Sequence, residues 1–247
     1  MAESIVYLHG VPNSGEEWKP FLERTGGIAP DLPGFGDSDT PADGDYTFRG
    51  LGRFVSELTA DIERFSLVMH DWGAVGLLAA MERPEAVERI VLIDAVPFLP
   101  GYRWHTVARI WRTPVAGELF MGLSTRWGFK QLARRQAPPD FPREQIDANV
   151  EEIWKHFDHG TQRAILRLYR SAPEDVLEEA GRGLDAIKAP ALVLWGGADP
   201  YLPTSFAHAY GDALGGPAQV EVVDGVGHWP WLERPEVIDR VAAFLSG

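Results

Sequence analysis

Short, wholly apolar runs alternate with stretches of helical periodicity along most of this chain. Ser4–Leu8 (SIVYL) is the first run; it is closed by His9-Gly10 and reads as a buried strand. A loop, HGVPNSGEEW, follows. Ile28–Asp31 reads as a second short strand running into DLPGFGDSD, whose glycines, proline and acids mark a long exposed turn. Between Tyr46 and Phe65, residues Phe48, Leu51, Phe54, Val55, Leu58 and Ile62 recur at helical spacing. Phe65–His70 is another apolar run, followed by a helix to about Arg83, and Arg89–Val96 (RIVLIDAV) is the next. Strands that are apolar on both faces and separated by helices predict a parallel sheet covered on two sides.

From Pro97 to about Gly183 the alternation stops. Aromatic residues lie among charged ones in helical patterns, broken by Pro138, Pro139 and Pro142, and the segment reads as three to five helices with no strand. Alternation then resumes with a strand at Ala191–Trp195, a helix at Leu202–Leu214, a strand at Gln219–Val223 and a helix at Pro235–Leu245. The expected organisation is an α/β core of residues 1–96 and 184–247, with a mostly or wholly parallel sheet of about six strands. Residues 97–183 are expected to form a helical cap inserted after the strand ending near Val96.

Composition narrows the functional classes. The 247 residues, 45% hydrophobic and 24% charged, suffice for one large core. No stretch approaches the roughly 20 apolar residues of a membrane span. The segment MAESIVYLHG has neither the basic nor the long apolar part of a signal peptide, so a cytoplasmic location is expected. The absence of cysteine excludes disulfides, thiolate metal sites and cysteine nucleophiles. A net charge of −13 repels phosphate backbones and anionic membranes, so neither nucleic acid nor membrane is an expected partner.

Candidate chemistry begins at FSLVMHDWGAVG, where Asp71 stands between a strand and a helix. A sharp strand-to-helix turn lifts one side chain off the sheet edge and frees the next backbone N–H groups, which suits a nucleophile. A plain helix N-cap is the alternative, since Asp favours that position. Asp199 follows the strand LVLWGGA and His228 follows VEVVDGVG, so all three residues fall just past strand C-termini. Taken singly, Asp199 reads as a turn residue and His228 as a surface histidine. Taken together, they supply a carboxylate to attack, an imidazole to activate water and an acid to hold the imidazole, delivered to the ligand-binding edge of a parallel sheet.

Order and placement resemble the α/β-hydrolase fold over nearly the whole chain. The matching motifs are HGVP, DLPGFGDSD, HDWGA, GGADPYLP and GVGHWPWLERPE. Aspartate followed by tryptophan at the elbow is similar to epoxide hydrolases and haloalkane dehalogenases, the aspartate-nucleophile branch. The resemblance implies that Asp71 forms an alkyl-enzyme ester, and that His228, oriented by Asp199, activates the water that hydrolyses it. It also implies an oxyanion hole from the backbone N–H groups of Val11 and Trp72, no metal or organic cofactor, and as partners only a hydrophobic small-molecule substrate and water. Asp94, in VLIDAV, is a second candidate acid, with Asp199 preferred. Two departures stand out. The hairpin that usually precedes the strand leading into HG is missing here, and Met69 occupies a position that is usually small.

The leaving group separates the two chemistries. An alkoxide needs a proton donor, which epoxide hydrolases take from cap tyrosines. Tyr102 and Tyr169 are available, and AILRLYRSA favours Tyr169. Halide release needs only weak N–H donors: Trp72, with Trp104, Trp111, Trp127 or Trp154 as a second. Val11 replaces the asparagine many dehalogenases carry there, and Arg103, Arg109 or Arg112 would pair an acidic substrate. Epoxide opening is the preferred expectation. Haloalkane or haloacid dehalogenation is second, and a non-catalytic small-molecule binder on the same fold is the reading from a different class.

Overall fold

The computed structural model describes residues 4–39, 41–139 and 141–247. Met1–Glu3, which the expected core and the signal-peptide argument include, lie outside them. Five parallel strands form one sheet in the spatial order of the sequence: β1 (Ser4–Leu8), β2 (Phe65–Asp71), β3 (Val87–Ala95), β4 (Ala191–Gly196) and β5 (Ala218–Val223). The helices between β1 and β3 are α1 (Lys19–Thr25), α2 (Phe48–Thr59) and α3 (Gly76–Glu82).

The expected sixth strand is reduced to one parallel bridge. Ile28 N–H donates to the Ile5 carbonyl and Tyr7 N–H to the Ile28 carbonyl, each at 2.9 Å. The next inward-facing ladder donor would be residue 30, which is proline and has no N–H, so pairing stops there.

The two-faced apolar runs are explained by helices on both sides. Val6, Leu8, Leu67, Met69, Leu92, Val193 and Trp195 face a core completed by α2, α3 and α10 (Ser205–Ala213). Their neighbours Ile5, Tyr7, Val68, Val91, Ile93 and Leu194 face the opposite core, with Trp18, Phe21 of α1, and Val237, Val241 and Phe244 of the C-terminal helix (Glu236–Ser246). The strict period of two assigns each residue to one face.

Between β3 and β4 the described residues contain six helices, one more than the upper expectation. They are α4 (Thr106–Arg112), α5 (Ala116–Leu123), α6 (Arg126–Gln136), α7 (Arg143–Lys155), α8 (His159–Ser171) and α9 (Glu174–Ala180). The extra count comes from short helices separated by single breaks, such as the left-handed Val115 (φ 68°) between α4 and α5. Helix α8 is anchored at both ends. The Asp158 side chain caps its N-terminus by accepting from Thr161 N–H at 2.9 Å. At its C-terminus Ser171 Oγ accepts from the Phe48 N–H of α2 at 3.0 Å, while Arg170 pairs with Glu118 of α5. Gly34 (φ 91°) lets the loop after Ile28 approach α8 closely, because a Cβ there would lie 2.6 Å from the Ala164 Cβ.

Candidate active site

The elbow after β2 is a strained point of the sheet edge. Asp71 has φ 47° and ψ −117°, a conformation L-residues rarely adopt, and the chain passes from it into a 3-10 turn, Trp72–Val75, and then α3. Small residues make the turn possible. A Cβ on Gly73 would sit 2.1 Å from the Leu8 carbonyl oxygen, and one on Gly10 would sit 2.9 Å from the Asp71 Cβ. Met69 fits two residues before the elbow because the facing residue in α3 is Gly76, where a Cβ would lie 2.9 Å from the Met69 sulfur. The bulk moved to the strand is taken from the helix.

The Asp71 carboxylate meets both expected backbone donors. Val11 N–H donates to Oδ2 at 2.9 Å, and Trp72 N–H also bonds the carboxylate. The other oxygen, Oδ1, lies 3.9 Å from His228 Nε2, too far for a hydrogen bond. Burial raises the Asp71 pKa above the usual carboxylate value, opposed by His228, His70 and the two N–H groups. On the far side of the imidazole, His228 Nδ1 lies 2.7 Å from Asp199 Oδ2. Asp199 Oδ1 accepts from Tyr201 N–H at 2.6 Å and Leu202 N–H at 3.1 Å. Burial pulls the His228 pKa down, but the Asp199 charge and hydrogen bond, with Asp71 and Glu17 behind them, outweigh it, so the net shift is upward. Burial likewise pushes Asp199 up, and the His228 interactions bring it below the usual value.

A second layer holds this set. Glu17 is buried; its Oε1 accepts from Gly10 N–H at 2.8 Å and stands 3.3 Å from His70 Nδ1. His70 Nε2 lies 2.9 Å from the His228 carbonyl, which fixes that nitrogen as the donor. His9, fully buried, bridges two loops: Leu32 N–H donates to its Nε2 at 2.9 Å and its Nδ1 bonds the Gly10 carbonyl at 2.7 Å. Asp94, Asp199 and His228 present ligand-type atoms within 4.8 Å of one another. Each is already turned to a neighbour in the group or to a backbone N–H, so the donor set serves itself.

Asp71 and His228 open into a cavity of about 100 Å³ between the sheet edge and the helices, shared with Tyr169 and Tyr201. Its walls are apolar, supplied largely by Phe129 and Leu132 of α6 and Val150 of α7. Tyr169 lines it directly, and burial, then the Asp71 charge, keep the phenol strongly protonated. The Trp72 indole N–H stands near enough to the Tyr169 hydroxyl to favour its anion, but falls short of an aligned hydrogen bond and is left without a partner.

Other expected cap residues are placed differently. Trp104 lines the cavity, but its indole N–H donates to the Ala172 carbonyl at 2.9 Å. Tyr102 is one layer removed. It is buried against Trp104 and Phe206 and lies outside the cavity lining, since the chain turns its ring toward α10. Trp127 is 73% exposed, and Trp154 stacks on Phe157. Tyr201 and His105 are cavity residues that the pattern did not single out. The Tyr201 ring packs 5.0 Å from those of His228 and His105, and its hydroxyl donates to Gln136 Oε1 at 2.8 Å. The signal for Tyr201 was its place two residues after Asp199; His105 carried none.

A doubly covered parallel sheet with an acid–histidine pair and a strained elbow carboxylate at one edge defines the α/β-hydrolase class of protein. Residues 5–241 match the Alpha/beta hydrolase family, and the chain belongs to it. It is 26% identical over 273 residues to the soluble epoxide hydrolase of Corynebacterium sp. (strain C12), covering 98% of this chain and 90% of that one. The ligand-free structure of the epoxide hydrolase CorEH superposes with a TM-score of 0.80 at 22% identity, covering 99% of this chain and 91% of that one. The haloalkane dehalogenase DbeA from Bradyrhizobium elkani superposes with a TM-score of 0.79, also at 22% identity, over 100% and 90%. At that identity the two superpositions establish the fold. No helix among the described residues is long and apolar enough to cross a membrane.

Proposed function

We propose that this α/β hydrolase opens apolar epoxides to diols through a covalent ester on Asp71. Asp71 Oδ1, the oxygen that does not accept from Val11 N–H, attacks an epoxide carbon. The ring C–O bond breaks, and the Tyr169 hydroxyl gives its proton to the departing alkoxide oxygen. Oδ2, held by Val11 N–H, becomes the ester carbonyl oxygen. Water between His228 Nε2 and the ester then loses a proton to the imidazole and attacks the Asp71 Cγ, with the developing oxyanion bound by the Val11 and Trp72 N–H groups. Collapse breaks the ester C–O bond, the second proton of the water passes to the departing alkoxide to give the diol and leave Asp71 ionised, and the proton on His228 restores the Tyr169 phenol. Asp199 holds the imidazole tautomer and stabilises its cation. Residues 97–183 act as the cap that closes this chemistry off from bulk water, over a core of residues 1–96 and 184–247.

The observation that carries the reading is the placement of Tyr169, a protonated phenol in the same cavity as Asp71. Dehalogenation is the second reading, because the Trp72 and Trp111 indole N–H groups are buried without partners and suit a halide. It is weakened by Trp104, whose N–H is already taken. Assaying styrene oxide and 1-bromobutane side by side separates the two: diol without halide release is expected, and the reverse result overturns the proposal. In His228→Gln the first half-reaction should trap an adduct on Asp71, detectable by mass spectrometry. Reversible binding with no adduct would identify a non-catalytic binder instead.

A further inference from the structure

Asp94, one residue before the end of β3, has its side chain fully buried and its backbone at φ 41°, yet the mechanism above gives it no task. One of its carboxyl oxygens lies within 4.8 Å of a carboxyl oxygen of Asp199, and it accepts from Gly196 N–H, at 2.9 Å to Oδ1 and 3.2 Å to Oδ2. Two carboxyl groups this close and away from water disfavour a second negative charge, which is relieved when one of them keeps its proton. We infer that Asp94 is a neutral carboxylic acid whose O–H donates to Asp199, making it a positioning residue for the Asp199–His228 pair.

The asymmetry of the surroundings decides which carboxyl keeps the proton. Asp199 faces the His228 imidazole at 2.7 Å and accepts two backbone N–H groups, all favouring an anion. Asp94 accepts from the Gly196 N–H, and the His228 imidazole, although within 4.8 Å, makes its hydrogen bond to Asp199 instead. The directions of titration agree: burial and then the Asp199 charge push Asp94 far up, while Asp199 is held below its usual value. The consequence reaches His228. A hydrogen bond from Asp94 withdraws charge from Asp199 and so tempers the proton affinity that Asp199 confers on the imidazole. The other groups facing His228 are Asp71 from β2, Glu17 and His70 from the layer beneath, and His105 and Tyr201 at the cavity wall. Asp71 also adds its charge at Asp94.

The test follows the His228 ring by NMR titration in the ligand-free protein, so it does not depend on the substrate. Asn at 94 keeps an N–H for Asp199 and an oxygen for Gly196, and tolerates the left-handed backbone. Asp94→Asn should therefore leave the His228 midpoint within about half a unit of wild type, whereas Asp94→Ala should raise it by about one unit or more, the size of a charge-assisted hydrogen bond. In turnover of styrene oxide, the acid limb of the kcat profile should move the same way in Asp94→Ala, with KM little changed. A downward move of one unit in Asp94→Asn would mean Asp94 is an anion, and no move in Asp94→Ala would mean it only fills space; either overturns the inference. Should Asp94→Ala fail to fold, infrared spectroscopy decides: wild type at neutral pH must show a protonated-carboxyl band that Asp94→Asn lacks, and no such band refutes the assignment. The turnover arm rests on the proposed function. If wild type ignores styrene oxide, that reading fails while the NMR and infrared results still judge Asp94.

Discussion

At the C-terminal edge of the sheet, the carboxyl groups of Asp71, Asp199 and Asp94 each accept from at least one backbone N–H. In the helical segment above them, the Tyr102 hydroxyl and the Trp111 indole N–H are buried with no partner, a state that typically costs about 1–3 kcal/mol each. Backbone donors cannot be moved by changing a side chain, so the edge holds charge in one geometry. The helices instead meet the cavity with ring faces and aliphatic side chains, which repack at small cost. The contrast teaches that the fixed geometry lies at the edge and the adaptable surface in the helices, which is where the proposed reaction puts its chemistry and its substrate choice.

The sharpest way to break this comparison is at the edge. Asp71→Asn removes the proposed nucleophilic oxygen while keeping the size of the side chain, and kcat should fall by at least about 10⁴-fold, with the chain still folded by circular dichroism. Retained turnover would move the nucleophile elsewhere. Tyr169→Phe tests the polar group on α8 that lines the cavity. Epoxide opening should slow by about 10²–10⁴-fold, and unchanged turnover would remove Tyr169 from the mechanism.

Packing offers a paired test. Gly76→Ala drives a methyl group against the Met69 sulfur and Leu8 Cδ1, and urea unfolding should show a loss of about 1–3 kcal/mol. Gly122→Ala in α5 meets nothing within 4 Å and should gain up to about 1 kcal/mol. Equal effects at the two sites would erase the distinction between a tight edge and a tolerant cap. The smallest expected effect lies at His105, whose pKa is pushed down to about 4 by burial and then by His228. The unfolded chain takes up this proton near pH 6.5, the folded one only near 4, so stability drains as pH falls through that window. His105→Gln should flatten the acid-side decline in melting temperature between those limits. An unaltered slope would place the responsible group elsewhere.

Sequence alone carried the parallel order of strands, because each strand is a local apolar run and each connection contains a helix. It also carried the spacing of Asp71, Asp199 and His228, because strand ends are marked by glycine, proline and acids. Structure was needed wherever the decisive contact joined distant residues through space. Pro30 ended a ladder whose partner lies in β1. Gly76 made room for Met69, so the bulk before the elbow was balanced within the core. Tyr169 was favoured over Tyr102 along the chain only by the likeness of AILRLYRSA, whereas in the fold Tyr169 and not Tyr102 lines the cavity, because α8 is pinned to α2 and α5 at its C-terminal end. Trp104 had a free N–H on paper until Ala172 claimed it. Asp94 and Asp199 competed as alternatives in the sequence, where one acid excludes the other. In the fold they stand side by side, and a single shared proton lets both be buried behind one histidine.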